Sequence, residues 1–118
     1  MFVVVLLLLL TPPTLSAQTA RAKPLTREQA QDVWRAATRE LVGTMVHKWS
    51  CDSLQCYFQL DPEVWRRIPV DNKLDFVAGT GEAARVLRGV SWVQFTDMYT
   101  GRRLARYSAE TRIARLTP

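Results

Sequence analysis

The first 17 residues set the terms for everything that follows. They carry no charge, run from Met1 and Phe2 through an unbroken apolar stretch from Val3 to Leu10, and close on Thr11-Pro12-Pro13-Thr14-Leu15-Ser16-Ala17. Such a run is too short to span a bilayer and ends in breakers and small residues, the pattern of a secretory signal peptide cut near Ala17. Here only the amino terminus supplies the positive charge that a signal usually takes from Lys or Arg, and a core strand or an uncleaved membrane anchor would be the other uses of these residues. With the signal set aside, about 100 residues remain, enough for one small domain and too few for a second. The expected organisation is a signal peptide over 1–17, a linker over 18–24 and a single domain over 25–118, in a periplasmic or secreted protein. Cys51 is the first cysteine and lies far from the cleavage region, which speaks against a lipoprotein.

Every charged residue lies beyond Ala17. Of the 16 basic residues 13 are arginine, and against 11 acidic ones they leave a net charge of +5. An exported basic protein can meet anionic head groups, peptidoglycan, nucleic acid or an acidic partner, whereas charge spread evenly over the chain is only a solvated surface. Cys51 and Cys56 are the only cysteines, and in an oxidising compartment so close a pair reads as a local disulfide stapling the turn from Ser50 to Tyr57. Closing so short a ring contributes roughly 2 kcal/mol. A thioredoxin-like motif needs two intervening residues rather than four, and a zinc site needs four ligands where His47 is the sole histidine. No metal or cofactor is expected.

Along the chain, Thr26 with Gln29 three residues on forms a capping box, and Ala30, Trp34, Ala37, Leu41 and Met45 recur at helical spacing, so a helix is expected to about Val46. Cys56 to Leu60 favours a short strand. Asp61-Pro62-Glu63 then opens a short helix bearing Val64, Trp65 and Ile68, which must yield at Pro69. Asp71 can cap a further helix from Asn72 to about Arg88. Within it Gly79-Thr80-Gly81-Glu82-Ala83-Ala84 has the form G-x-G-x-x-A, with Asp97 18 residues beyond Gly79. A dinucleotide site would need a strand before Gly79, a helix opening at Gly81 and a parallel sheet for which too little chain follows Asp97. A helix kinked by glycine, or a helix-loop-helix junction, is the simpler expectation.

The last third gives the clearest β signal: Val90 to Tyr99, a turn at Thr100-Gly101, and Arg102 to Tyr107 form a hairpin, with Val93, Phe95 and Leu104 as strand core residues. Arg112 to Leu116 can add a third, edge strand. The expected fold is therefore α+β, two or three helices packed on a short antiparallel sheet built from the C-terminal hairpin.

Trp65 with Pro69, Asp71 and Lys73, together with Asp97-Met98-Tyr99-Thr100-Gly101-Arg102-Arg103-Leu104-Ala105-Arg106-Tyr107-Ser108, resembles a group of small exported bacterial proteins of unknown function. In these a tryptophan-bearing helix precedes an aspartate-lysine helix and an Asp-x-x-Ser/Thr-Gly-Lys/Arg-x-Leu-Ala-x-Tyr hairpin. The resemblance implies a periplasmic or secreted α+β domain and brings no activity with it.

For catalysis, His47 is the sole candidate base near neutral pH, with Ser50 and Asp52 close by in sequence, and Asp71 and Asp75 would share a helix face. Helix ends and capping account for all of these. Binding is the more natural expectation. Trp49, Tyr57, Trp92, Tyr99 and Tyr107 with Arg102, Arg103 and Arg106 are of the types that anchor interfaces, although Trp92 and Tyr107 equally suit packing. The candidate patch is Trp49, Tyr99, Arg102, Arg103 and Arg106, and the expected role is protein or cell-envelope binding. A small exported hydrolase using His47 and a basic nucleic-acid-binding module are the alternatives.

Overall fold

The computed structural model describes residues 18–118, so the signal-peptide reading of 1–17 lies outside the described residues. The order is β1 (Thr19–Arg21), α1 (Arg27–Arg35), β2 (Val46–Cys51), β3 (Gln55–Leu60), α2 (Pro62–Arg67), α3 (Val70–Arg88), β4 (Trp92–Asp97), β5 (Arg103–Ser108) and β6 (Ile113–Leu116). The strands form one sheet in the order β1-β6-β5-β4-β3-β2. Every neighbouring pair is antiparallel except β3 and β4. Two parallel strands cannot be joined by a tight turn, and α2 and α3 supply the long crossover that this pair needs. The α+β class holds, but the sheet is six-stranded and mixed rather than a short antiparallel extension of one hairpin.

Alternation along the strands puts one face against the helices. Phe58, Leu60, Val93, Phe95, Ala105, Tyr107 and Ala114 are fully buried there, and α3 lies across β4, β5, β6 and β1. Large side chains sit opposite small ones, Phe95 facing Ala105 and Tyr107 facing Ala114, which lets the inward layer interdigitate. At one end of this core an aromatic series runs Trp49, Trp34, Phe58, Phe95, Phe76, Trp65, with successive ring centroids 5.4, 5.7, 5.5, 5.5 and 6.2 Å apart.

Several local expectations need correction. The capping box at Thr26 and Gln29 forms, but the first helix does not reach Val46. It loosens into a π turn over Ala36–Glu40, the chain reverses at Gly43 with φ +93°, and Val46 opens β2. Burying Met45 in the core and Val46 in β2 outweighs the helical spacing that continued through them. Residues 18–24 are not a linker: Thr19–Arg21 pairs with β6 and Ala22 is buried. The structured domain consequently begins before Leu25, and β6 is flanked on both sides instead of forming an edge. Helix α3 starts at Val70 after Pro69 rather than on an Asp71 cap, leaving Asp71 in its first turn. Leu104, at the β4–β5 register shift, is half-buried and packs against the margin of the core, while Ala105 and Tyr107 take the fully buried positions. Cys51 and Cys56 are directly opposite in register and joined by a disulfide, closing the β2–β3 hairpin as expected.

Gly79 and Gly81 lie inside α3, with no strand before them, so the dinucleotide fingerprint has no phosphate-binding turn. Close packing demands a glycine only at position 81. A Cβ on Gly79 would rest against Val33, and one on Gly81 would fall inside the Tyr107 ring.

Candidate functional site

The face of the sheet turned away from the helices is open, and its side chains follow from strand register. One row runs across all six strands, Ser50, Tyr57, Gln94, Arg106, Arg115, Thr19. A second runs Gln55, Trp92, Ser108, Ile113, Arg21, and Lys48 lies opposite Gln59 beside them. Lys48, Arg106, Arg115 and Arg21 thus share one face. None of the chain's 11 carboxylates occupies a strand position on it.

Six of the 11 carboxylates are engaged elsewhere. Asp52 accepts from the backbone N–H groups of Leu54 and Gln55 at 2.8 and 2.7 Å, and Asp97 from Tyr99 and Thr100 at 2.7 and 3.2 Å. These backbone donors hold both carboxyls below their ordinary range. Asp61 caps α2. Asp32 and Glu63 pair with Arg35 and Arg66 on exposed helix faces.

Glu82 is fully buried behind the sheet. Its Oε1 accepts from the Tyr107 hydroxyl at 2.7 Å, from Arg85 Nε at 2.8 Å and from Arg112 Nε at 3.3 Å, and its Oε2 from the Nη2 of Arg85 and of Arg112, both at 2.8 Å. Burial pushes this carboxyl up, but the hydrogen bonds from Arg85 and Tyr107 and the two guanidinium charges outweigh it and bring it down to about 2. Burial and the same carboxylate push the Tyr107 hydroxyl up to about 12. The cluster ties α3 to β5 and to the β5–β6 turn, where Arg112 holds a left-handed φ of +58°. That turn and those two strands position the open face above it.

On that face Trp92 is half-buried, and Arg106 Cζ stands 5.0 Å from the ring centroid. A groove of about 180 Å³ is lined by Trp92, Arg106, Ser108, Thr111, Ile113 and Arg115. A second hollow of about 460 Å³ shares Trp92 and Ser108 and continues to Arg85, Ser91 and Glu110. Arg106 and Arg115 make no ion pair among the described residues.

The five residues expected to form a binding patch are dispersed. Trp49 points to the helix side, stacked on Phe58 at 6.3 Å, with Arg88 held between it and Trp34 at 5.5 and 5.4 Å. Tyr99 stands 73% exposed on the hairpin turn. Arg102 donates to the Pro118 carbonyl at 3.2 Å and, with Arg103, lines a separate groove beside Trp65 and Lys73. Arg106 reaches the open face, and Arg103 pairs with Thr96 at the β4–β5 register shift. Arg115, Ser108, Thr111, Arg21 and Lys48 were not singled out in the sequence. Their signal was strand parity relative to Trp92, which requires the register of β5 on β6.

His47 is the extra residue at the β2 bulge, exposed and joined by no hydrogen bond to Ser50 or Asp52 among the described residues. Asp71 and Asp75 are exposed on α3. The described residues contain no group of three or more His, Cys, Asp or Glu placed to hold a metal, and no helix long and apolar enough to cross a membrane.

Fold and face together define a two-layer α+β protein, helices on one side of a mixed sheet and a solvated basic surface on the other. Compared with protein-family models, with curated proteins and with solved structures, the chain matches none.

Proposed function

We propose that this is an exported binding module, akin to the small periplasmic or secreted proteins its hairpin resembles, which engages an anionic surface of the cell envelope through the open face of its sheet. The observation that carries this reading is the segregation of charge: four cations stand on the outward strand positions of one face and no carboxylate does, Glu110 lying in the β5–β6 turn at its margin. Trp92 and Tyr57 add amphipathic rings of the kind favoured where water meets a lipid or polymer surface. The Cys51–Cys56 disulfide is compatible with an extracellular or periplasmic location.

The test has two arms. Intact mass of the protein from fractionated host cells, without reductant, should give an exported, oxidised species beginning near Gln18. A reduced, full-length cytosolic species would overturn export. Co-sedimentation with vesicles of phosphatidylglycerol and phosphatidylcholine should retain the protein, while phosphatidylcholine alone should not. Each cation at such a surface contributes about 1 kcal/mol, so R106Q/R115Q should weaken retention roughly 30-fold. Equal retention by neutral vesicles, or indifference to the double substitution, would overturn the face assignment.

A further inference from the structure

Arg106 and Arg115 stand directly opposite one another on β5 and β6. Like charges in that relation destabilise a sheet, and among the described residues no carboxylate offsets them. The fold gains nothing from the juxtaposition, so the pair is best explained by what it can hold. Arg106 is also restrained, its guanidinium lying over the Trp92 ring, so less rotamer freedom is lost when it binds. Ser108 and Thr111 complete the lining of the groove with hydroxyl groups.

We infer that the groove between Trp92 and Arg115 is a binding site for a phosphate group, with Arg106 and Arg115 as its charged clamps and Ser108 and Thr111 as hydroxyl donors. A carboxylate presents two coplanar oxygens, whereas a phosphate presents three or four in a tetrahedral arrangement. Two forks with two hydroxyls suit a tetrahedral ion that offers more acceptor oxygens, and the site contributes no carboxylate to repel it. At about 180 Å³ the groove falls below the roughly 300–1,000 Å³ of pockets that enclose whole small molecules. It therefore seats the phosphate and leaves the remainder of the ligand outside. Taking that phosphate to be a lipid head group rests on the envelope reading above; the phosphate chemistry itself does not.

The first measurement is a titration of the isotope-labelled protein with inorganic phosphate, and in parallel with acetate at equal ionic strength, followed by NMR at the arginine Nε–H and Trp92 indole signals. Saturable shifts at Arg106, Arg115 and Trp92 with phosphate alone are expected, and R115Q should abolish them with the remaining spectrum intact. Shifts that do not saturate, or that acetate reproduces, overturn the phosphate site. The second measurement compares vesicles of matched surface charge made with phosphatidylglycerol or with the carboxylate lipid cholesteryl hemisuccinate. About tenfold preference for the phospholipid is expected, and S108A/T111V should reduce it. Equal binding to both removes the phosphate site and leaves the envelope reading standing. Saturable binding of free phosphate with no vesicle binding keeps the site and removes the envelope reading. Preference for a single-stranded oligonucleotide over both vesicles would likewise keep the site and replace the lipid by a nucleic-acid backbone.

Discussion

Glu82 keeps a full charge without solvent because two guanidinium groups and one phenol hydroxyl satisfy both of its oxygens. Removing it is worse than never having built the cluster. Glu82→Ala would leave Arg85, Arg112 and Tyr107 without their shared acceptor, and chemical denaturation should show a loss of roughly 3–5 kcal/mol. The same geometry sets an acid limit. The folded carboxyl titrates at about 2 against an ordinary value of 4.5, so its contribution is complete above 4.5 and is lost as the pH falls from there through about 2. Thermal melts across that window should decline in the native protein and decline less in Glu82→Gln, with Asp52 and Asp97 supplying the remaining slope. Beside it, Gly81→Ala gains roughly 1 kcal/mol of helix propensity but drives a methyl into the Tyr107 ring. Overpacking of this kind costs roughly 1–3 kcal/mol, so the melting temperature should fall, by roughly 4–8 °C for each net kcal/mol lost. None of this was legible from the G-x-G spacing. The sequence led to a glycine kink or a helix-loop-helix junction, whereas α3 runs unbroken through both glycines and the neighbour that forbids a side chain at Gly81 is 26 positions away, appearing only once α3 lies on β5.

At the scale of elements, the hairpin of β2 and β3 is held by Cys51–Cys56 at its turn end. C51S/C56S should lower stability by roughly 2 kcal/mol, read from denaturant midpoints without reductant, and added reductant should do the same to the native protein, on the order of its loop-closure entropy. Elements with strong local signals were legible: the Thr26 capping box, the Asp61-Pro62 helix start, and the β4–β5 hairpin, whose turn is closed by Asp97 and by Gly101 at φ +74°. Two strands were not. In β2 the apolar spacing of α1 runs on through Met45, and only Gly43 marks the reversal. β1 is three residues long and has no pattern of its own, so its pairing with β6 comes entirely from tertiary contact.

For the whole molecule, the candidate surface was half legible. Arginine and aromatic types were evident in the sequence, and Arg106 was among the residues marked there, but which of the others share its face depends on the alignment of six strands. A charge-reversal series separates the faces. R106E/R115E should abolish retention on phosphatidylglycerol vesicles, while R35E/R39E on α1 and its π turn, with the same change in net charge, should leave most of it. If both pairs act alike, net charge rather than the open face governs binding.

Among the described residues β1 is the first strand and β6 the last, and they lie side by side: Thr19 pairs with Arg115. The β2–β3 and β4–β5 hairpins close over a few residues and can form early. The parallel junction of β3 and β4 must wait for the crossover helices, and β1 must wait for nearly the entire chain, since long loops are closed slowly and at greater entropic cost. Order of synthesis and order of assembly therefore run opposite at this edge: the strand that emerges first finds its partner last, and a chain cut before Ile113 would complete neither.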